Sequence, residues 1–402
     1  MALPKSTQTA VIIGGGVIGL SVAYNLAKRK FGRIIILEKG LVGDGSSSRA
    51  AGIITGLLWS EPGVLARKKA FELYAELSLD LDGYKFQNVG CLNVFTPKSW
   101  PARERLLSLY ERCGAPFEIL NAAEMQTRWP ALTPRNDFIG LFDRKGGYSE
   151  PHDYIPALTK RNRELGVDIL EHQLVTDFVV RNGRVTGVKT NLATFEGDVV
   201  IGTVYSWTLP LIAKLGWRLP VKTFVHQRYV TRPLPLPVNI PAINAHPLYG
   251  YVRPAHGNRL LFGAELEETV EYKVPTMDWH MSLTASPEIK NVIVENFRSF
   301  TPDIMKTSWE TEKVGLLTFS MDNEPILGPV SEFPGFYVAM AFHSGGFAYN
   351  PVAGYLMAEY VMDGTTTIDI RSFSPDRFRN PKAIDEYFTT RGQPERFDRR
   401  RH

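Results

Sequence analysis

The chain is poor in cysteine. Only Cys91 and Cys113 occur among its 402 residues, at no metal-type spacing, which argues against a disulfide framework or a zinc site and points to a reducing compartment. It also lacks a strong excess of either charge. Lysine and arginine outnumber aspartate and glutamate by 46 to 42, and the stretch from Arg371 to the end, with nine basic and five acidic residues, holds the whole surplus. A balanced body argues against a nucleic-acid surface, and the ending "RFDRRRH" reads as a solvated tail before it reads as a dock for an anionic partner. No internal repeat or low-complexity tract interrupts a composition that is 44% apolar and 22% charged, which excludes disordered and fibrous architectures. One uncharged run, Thr9 to Ala27, is long enough to compare with a membrane span. Adjacent glycines inside it, and a flank "MALPKSTQ" with a single lysine and no cleavage site after the apolar run, argue against a spanning helix or a signal peptide, so a cytoplasmic protein without a membrane span is expected.

What is present begins with "AVIIGGGVIGL". Ala10 to Ile13 is a short apolar strand, Val17 to Lys30 carries apolar residues at helical spacing, and "RIIILE" is a second buried strand, so Ala10 to Glu38 reads as one right-handed βαβ unit. Gly14, Gly16 and Gly19 fit G-x-G-x-x-G at the strand-to-helix turn. Gly14 permits the tight turn, Gly16 admits a pyrophosphate to the backbone, and Gly19 lets helix and strand pack closely, while N–H groups and the helix dipole hold the phosphates. Glu38, 19 residues beyond Gly19, is placed to accept hydrogen bonds from ribose hydroxyls. Together these predict a dinucleotide site, the alternative being a glycine turn of purely structural use. Two further glycine-containing segments, "GDGSSSRAAGIIT" and "HSGGF", favour a flavin dinucleotide over a nicotinamide one. Farther along, "LVTDFVVRNGRVTGVKTNLATFEGDVVIGT" reads as hairpin strands around an Asn-Gly turn. From Pro220 to about Leu261 the chain turns proline-rich and aromatic, with features of sheet edges and loops and the look of an inserted domain, before "GFYVAMAF" supplies another buried strand and Pro351 to Met362 a helix.

Ordered blocks from about Thr9 to Phe378 resemble the FAD-dependent D-amino-acid oxidase superfamily, which contains glycine oxidase, sarcosine oxidase and dimethylglycine dehydrogenase. They are "VIIGGGVIGLSVAYNLA", "LEKG", "GSSSRAAGI", "GGYSEPHDYIPAL", "NGRVTGV", "YGYVRPAHGNRLLFGAE" and "DNEPILGPVSEFPGFYVAMAFHSGGFAYNPVAGYLMAEYV". The resemblance implies an α/β fold: a discontinuous Rossmann-like FAD-binding domain of the glutathione-reductase type, residues 1–85, 146–219 and 311–380. An α+β substrate domain built on a mixed or antiparallel sheet, residues 86–145 and 220–310, is inserted in it, and residues 381–402 form a basic tail. It implies that FAD meets Gly14, Gly16, Val17, Ile18 and Gly19, then Glu38 and Lys39, then Ser46, Ser47, Arg49, Ala50, Ala51, Gly52 and Ile53. Val175 is expected at the adenine, and Gly345, Gly346, Phe347 and Ala348 at the start of a helix near the flavin pyrimidine, where N–H groups stabilise the negative charge of the reduced ring.

The implied chemistry is removal of hydride from the carbon beside an amine, by a flavin that the protein binds and orients, followed by hydrolysis of the imine; this needs no nucleophile. On the substrate face the expected groups are Tyr249, Tyr251 and Arg253, which strand alternation places on one face, with His226 and His343; Arg49 is a further candidate. Each has a plainer reading as an aromatic cluster, a surface arginine or a satisfied structural histidine. The departures from the family pattern bear on the substrate. Leu317 stands where glycine-oxidase-like members have a carboxylate-binding arginine, and Ala348 where sarcosine-oxidase-like members have a lysine. Either Arg49, Arg253 or a histidine replaces these anchors, or the substrate has no small free carboxylate. The cysteine and histidine that tether flavin in some members are missing near Gly315 and Arg49, which implies non-covalent FAD. Leu261 replaces a lysine that helps some members react with oxygen, so the acceptor is oxygen or another species. Tyr205 replaces a glycine, so a different backbone path is expected near the adenine. The rival readings are a 2-hydroxyacid dehydrogenase, a weakly catalytic flavoprotein subunit or assembly factor, and a plain NAD-dependent dehydrogenase; oligomerisation is left open.

Overall fold

A computed structural model describes residues 7–264, 270–302, 304 and 307–389. The strand Thr9–Ile13 lies inside a six-stranded sheet, flanked in parallel by Arg33–Leu37 and Val199–Gly202. Phe336–Met340 continues the parallel set beyond Val199–Gly202, Ile326–Pro329 closes that edge antiparallel, and Asp168–Leu170 ends the other. Both faces of the central strands are apolar because both are covered, as parallel strands require. The helix Val17–Lys28 packs on one face against Pro151–Glu164 and Gly346–Asp363. Its contact with the latter is close: a Cβ on Gly354 would come within 2.4 Å of Ser21 backbone atoms. The hairpin Val175–Arg181 and Arg184–Thr190 turns through Asn182 (φ 50°) and Gly183 (φ 73°), both left-handed, as expected from the Asn-Gly pair.

The second unit is an eight-stranded sheet. Its order is Trp309–Ser320, Val221–Thr231, Arg259–Ala264, Gly250–Ala255, Ala242–Ala245, Cys91–Phe95, Ile139–Asp143 and Phe117–Leu120. All neighbours run antiparallel except Ala242–Ala245 with Cys91–Phe95, so the sheet is mixed. Helix Pro287–Arg298 covers its outer face, with Phe297 edge-on to Phe262 at 5.3 Å. A smaller apolar cluster, Ile53, Cys91, Ala242, Tyr251 and Leu261, carries the Ala50–Ile53 segment on the inner side.

The two units differ from the expected boundaries in two places. Trp309–Ser320 pairs along its length with Val221–Thr231, so residues 311–320 belong to the second sheet. Its exposed, charged first half hides an edge strand from a reading based on hydrophobicity. Residues 381–389 form the helix Pro381–Thr389, which buries Ile384 and Tyr387 and sets Tyr387 beneath the Lys222 ammonium at 4.7 Å; residues 390–402 lie outside the described part. Among the described residues no helix is long and apolar enough to cross a membrane, and no cluster of His, Cys, Asp and Glu could hold a metal.

Candidate dinucleotide and substrate cleft

One long cleft runs between the units. At one end it is lined by Gly14, Gly16, Val17, Ile18, Glu38 and Lys39, and at the other by His226, Asn244, Tyr251, Leu317 and His343. Its first end is built by close packing. A Cβ on Gly19 would stand 2.0 Å from the Gly14 carbonyl oxygen, so only glycine lets the helix N-terminus meet the strand there. Gly16 precedes the helix and faces Ser47, whose Oγ would lie 3.0 Å from an added Cβ and which accepts from the Val17 N–H at 3.1 Å. Glu38 accepts from the Gly15 and Gly40 N–H groups, each at 2.8 Å. A carboxylate has about four acceptor sites, so Glu38 keeps capacity for ribose hydroxyls. Lys39 turns across this end. Its ammonium donates to the Met277 carbonyl at 3.0 Å and the Trp279 carbonyl at 2.5 Å and lies 4.1 Å from the Trp207 ring, and burial draws it down to about 8.

The segment from Ser46 to Ile53 forms the middle wall, and its backbone is held from the second sheet. Arg228 donates to the Arg49 carbonyl at 2.9 Å and the Ser48 carbonyl at 3.0 Å; Arg253 donates to the Ala51 carbonyl at 2.5 Å; Ser149 N–H donates to the Gly52 carbonyl at 2.9 Å. Gly52 sits at φ 73°, and a Cβ there would reach the Ser149 oxygen at 2.0 Å. The carbonyls of this wall are therefore engaged with neighbouring protein. Arg228 was not singled out from the sequence. Its signal is a cation two residues after His226 in an otherwise well-buried strand.

Arg253 needs correction as a substrate group. It is fully buried, donates to Glu150 at 2.8 Å, stacks over Tyr148 and does not line the cleft. Tyr249 is also displaced: it caps a short helical turn at φ 47°, just before the strand Gly250–Ala255, and does not line the cleft either. Strand alternation therefore holds only from Tyr251 to Arg253. Arg49 lines the cleft, but its Nη1 donates to the Gly45 carbonyl at 2.8 Å and the Asp44 carbonyl, with Asp44 Oδ1 at 3.3 Å.

Tyr251 and His226 meet on the inner wall. Their hydroxyl and Nε2 are 2.7 Å apart and the rings stack. Tyr251 lies across Gly263, where a Cβ would be 1.9 Å from its ring, so the glycine makes room for the phenol. Burial, reinforced by the neighbouring Arg228 charge, lowers His226 to about 4, which keeps it neutral. Asn244, absent from the sequence-based expectations, lines the same wall.

His343 and the turn after it close the inner end. Gly345 precedes the helix Gly346–Asp363, whose first turn includes Phe347 and Ala348; Gly346 and Phe347 line the cleft, whereas Ala348 is fully buried in the core. His343 stacks on Phe319 at 5.0 Å, and its N–H donates to the Thr318 carbonyl at 3.1 Å. Tyr205 supplies an unforeseen clamp. It stands at φ 46°, and its hydroxyl donates to the His343 carbonyl while accepting from Thr318 N–H at 3.0 Å. The glycine-to-tyrosine departure thus acts on the turn at His343. Behind that turn Arg67, fully buried, lies over the Tyr349 ring at 4.1 Å.

The donor set fits a flavin dinucleotide. A helix N-terminus with a glycine approach, an acidic residue with spare acceptor sites and Val175 line the outer half, and a second helix N-terminus opens on the inner half.

A family model described as FAD dependent oxidoreductase matches residues 9–360. The chain is 26% identical over 402 aligned residues to sarcosine oxidase subunit beta of Rhodobacter capsulatus, covering 95% of this chain and 91% of that one. It is 27% identical over 378 residues to glycine oxidase of Geobacillus kaustophilus, covering 91% and 96% of the two chains. The crystal structure of L-proline dehydrogenase from P. horikoshii matches the fold with a TM-score of 0.84 at 23% identity, over 94% of this chain and 98% of that one.

Proposed function

Because the chain belongs to the FAD dependent oxidoreductase family and acts on amines or amino acids, we propose that it oxidises the C–N bond of a secondary or tertiary amine or an amino acid. FAD, held at Gly14, Gly16, Glu38 and the Ser46–Ile53 wall, would supply the two-electron acceptor for C–N oxidation and pass the electrons on to oxygen or another acceptor. The observation that carries this reading is the placement of the Tyr251–His226 pair in the same cleft as the dinucleotide cradle. The chain's own residues orient and exclude water. His226 fixes the Tyr251 hydroxyl, and its low proton affinity leaves the ring neutral, with no extra proton to pass to the amine, whose lone pair must be free to form the C=N bond. The first turn of Gly346–Asp363 turns N–H groups toward the inner end, where they stabilise negative charge. The Ser46–Ile53 wall, supported by Arg228 and Arg253, keeps its shape.

Product analysis tests the proposal. Holoprotein is incubated with sarcosine, dimethylglycine, glycine, proline, D-amino acids, simple N-methylamines and 2-hydroxyacids, with oxygen or an artificial acceptor. Formation of an aldehyde or oxo acid (a cyclic imine from proline), with the shortened amine or ammonia released from open-chain substrates, supports it. Turnover confined to 2-hydroxyacids contradicts it.

A further inference from the structure

Among the described residues, the polar groups that line the inner half of the cleft include Asn244, Tyr251 and the histidines His226 and His343, with no lysine or arginine beside them. Among the described residues that line the cleft, the lysines and arginines are Lys39 and Arg49. Lys39 is at the Glu38 end, held on the Met277 and Trp279 carbonyls. Arg49 is turned onto Asp44 and Gly45. Behind the inner wall, Arg228 donates to the Ser48 and Arg49 carbonyls, and Arg253 to Ala51 and Glu150.

Among the groups that remain are an amide, a phenol and a histidine that burial holds neutral. Asn93 Nδ2 donates to the Leu141 carbonyl at 3.3 Å, which directs Asn93 Oδ1 to Asn244 Nδ2 at 3.0 Å. Asn244 Nδ2 also approaches Cys91 Sγ at 3.6 Å, so the amide group left for a ligand is its oxygen. Beside it stand the Tyr251 hydroxyl and the neutral His226 ring, and Leu317 adds an apolar surface. An amine N–H finds acceptors here, and an ammonium group finds an aromatic face. A carboxylate brought to the same place is desolvated beside the Asn244 oxygen and a leucine, with no lysine or arginine of the described cleft lining turned toward it.

We infer that the site takes an amine with no carboxylate on either carbon attached to the nitrogen, the substituents there being neutral: alkyl, amide or ester groups. This rests on the C–N oxidation proposed above and narrows it. It also resolves the alternative left by Leu317 and Ala348 in favour of a substrate without a small free carboxylate.

The test uses matched pairs on the wild-type holoprotein. Sarcosine is compared with N-methylglycinamide, and proline with prolinamide, by anaerobic stopped-flow bleaching of the flavin. Each second-order rate constant is expressed per unprotonated amine, so that the lower basicity of the amides does not enter. The amides are expected to exceed the acids at least tenfold, and Leu317→Arg, which adds a cation to the wall, is expected to shift preference toward the acids at least tenfold. Acids that reduce the flavin as fast as their amides, or faster, overturn the inference while leaving C–N oxidation standing. If neither member of either pair bleaches the flavin and simple N-methylamines also fail, the C–N reading falls and the inference with it.

Discussion

Replacing Tyr205 by phenylalanine removes one oxygen atom from a junction between the two units. The ring and the left-handed backbone stay, so the variant isolates the hydroxyl. That hydroxyl is the acceptor for Thr318 N–H on the edge strand of the second sheet and the donor to the His343 carbonyl on the turn that closes the cleft. Leaving a buried polar group unpaired costs about 1–3 kcal/mol; two partners are affected at a site that is only partly buried, so a loss in the lower part of the summed range, about 2–4 kcal/mol, is expected. Unfolding entropies near 2 cal/mol/K per residue convert this, for a chain of 402 residues, into a Tm about 2–5 °C lower. Differential scanning calorimetry of the holoprotein measures it, and flavin retention is followed by visible absorbance during dialysis. The variant is expected to release flavin faster, because the turn before the helix Gly346–Asp363 is less firmly placed. A Tm within about 1 °C of wild type, a bound well below that entropy estimate, with unchanged flavin retention would refute the clamp.

The other predictions concern the cradle, the wall and the buried histidine. Gly19→Ala puts a methyl group 2.0 Å from the Gly14 oxygen and 2.8 Å from Thr203 Oγ1, so the purified protein is expected to be colourless, measured as the ratio of absorbance at about 450 nm to that at 280 nm. Arg253→Ala leaves Glu150 buried without its cation and the Ala51 carbonyl without its donor; a destabilisation of about 3–5 kcal/mol is expected in urea unfolding, whereas a pure substrate role would raise KM and leave stability alone. His226 is neutral in the fold down to about pH 4, while in the unfolded chain it binds a proton below about 6.5. Its contribution to stability is therefore present above 6.5 and lost as pH falls through 4, amounting to about 2 kcal/mol between pH 8 and 5. Comparing wild type with His226→Gln in denaturant at those two pH values isolates it.

The cofactor end of the cleft was legible in the sequence because it is local: Gly14, Gly16, Gly19 and Glu38 fall within one βαβ unit, and each has a geometric reason to be where it is. Tyr251 was read through strand alternation and His226 as similarly placed; their side chains meet although the strand Arg259–Ala264 lies between their own strands. What escaped depends on contacts across long separations. Arg253 carries no local mark that distinguishes a guanidinium facing a substrate from one tying Ala51 and Glu150, and the difference is set by how the Ser46–Ile53 wall lies on the second sheet. Tyr249 was assigned to a strand that begins one residue later, after a left-handed cap. The edge strand Trp309–Ser320 was missed as a unit because its first half is solvated on the sheet edge. Tyr205 was visible only as a departure from a glycine; its partners, Thr318 and His343, lie more than 110 residues away.

C–N oxidation at this site requires that a flavin held in the cleft be reduced by an amine. Its most direct test is the visible spectrum of the purified protein under anaerobic conditions as a secondary amine is added. A yellow protein that loses its band at about 450 nm, with one flavin reduced per C–N bond oxidised, is expected. A yellow protein whose spectrum is unchanged by every amine, acid or neutral, would contradict it.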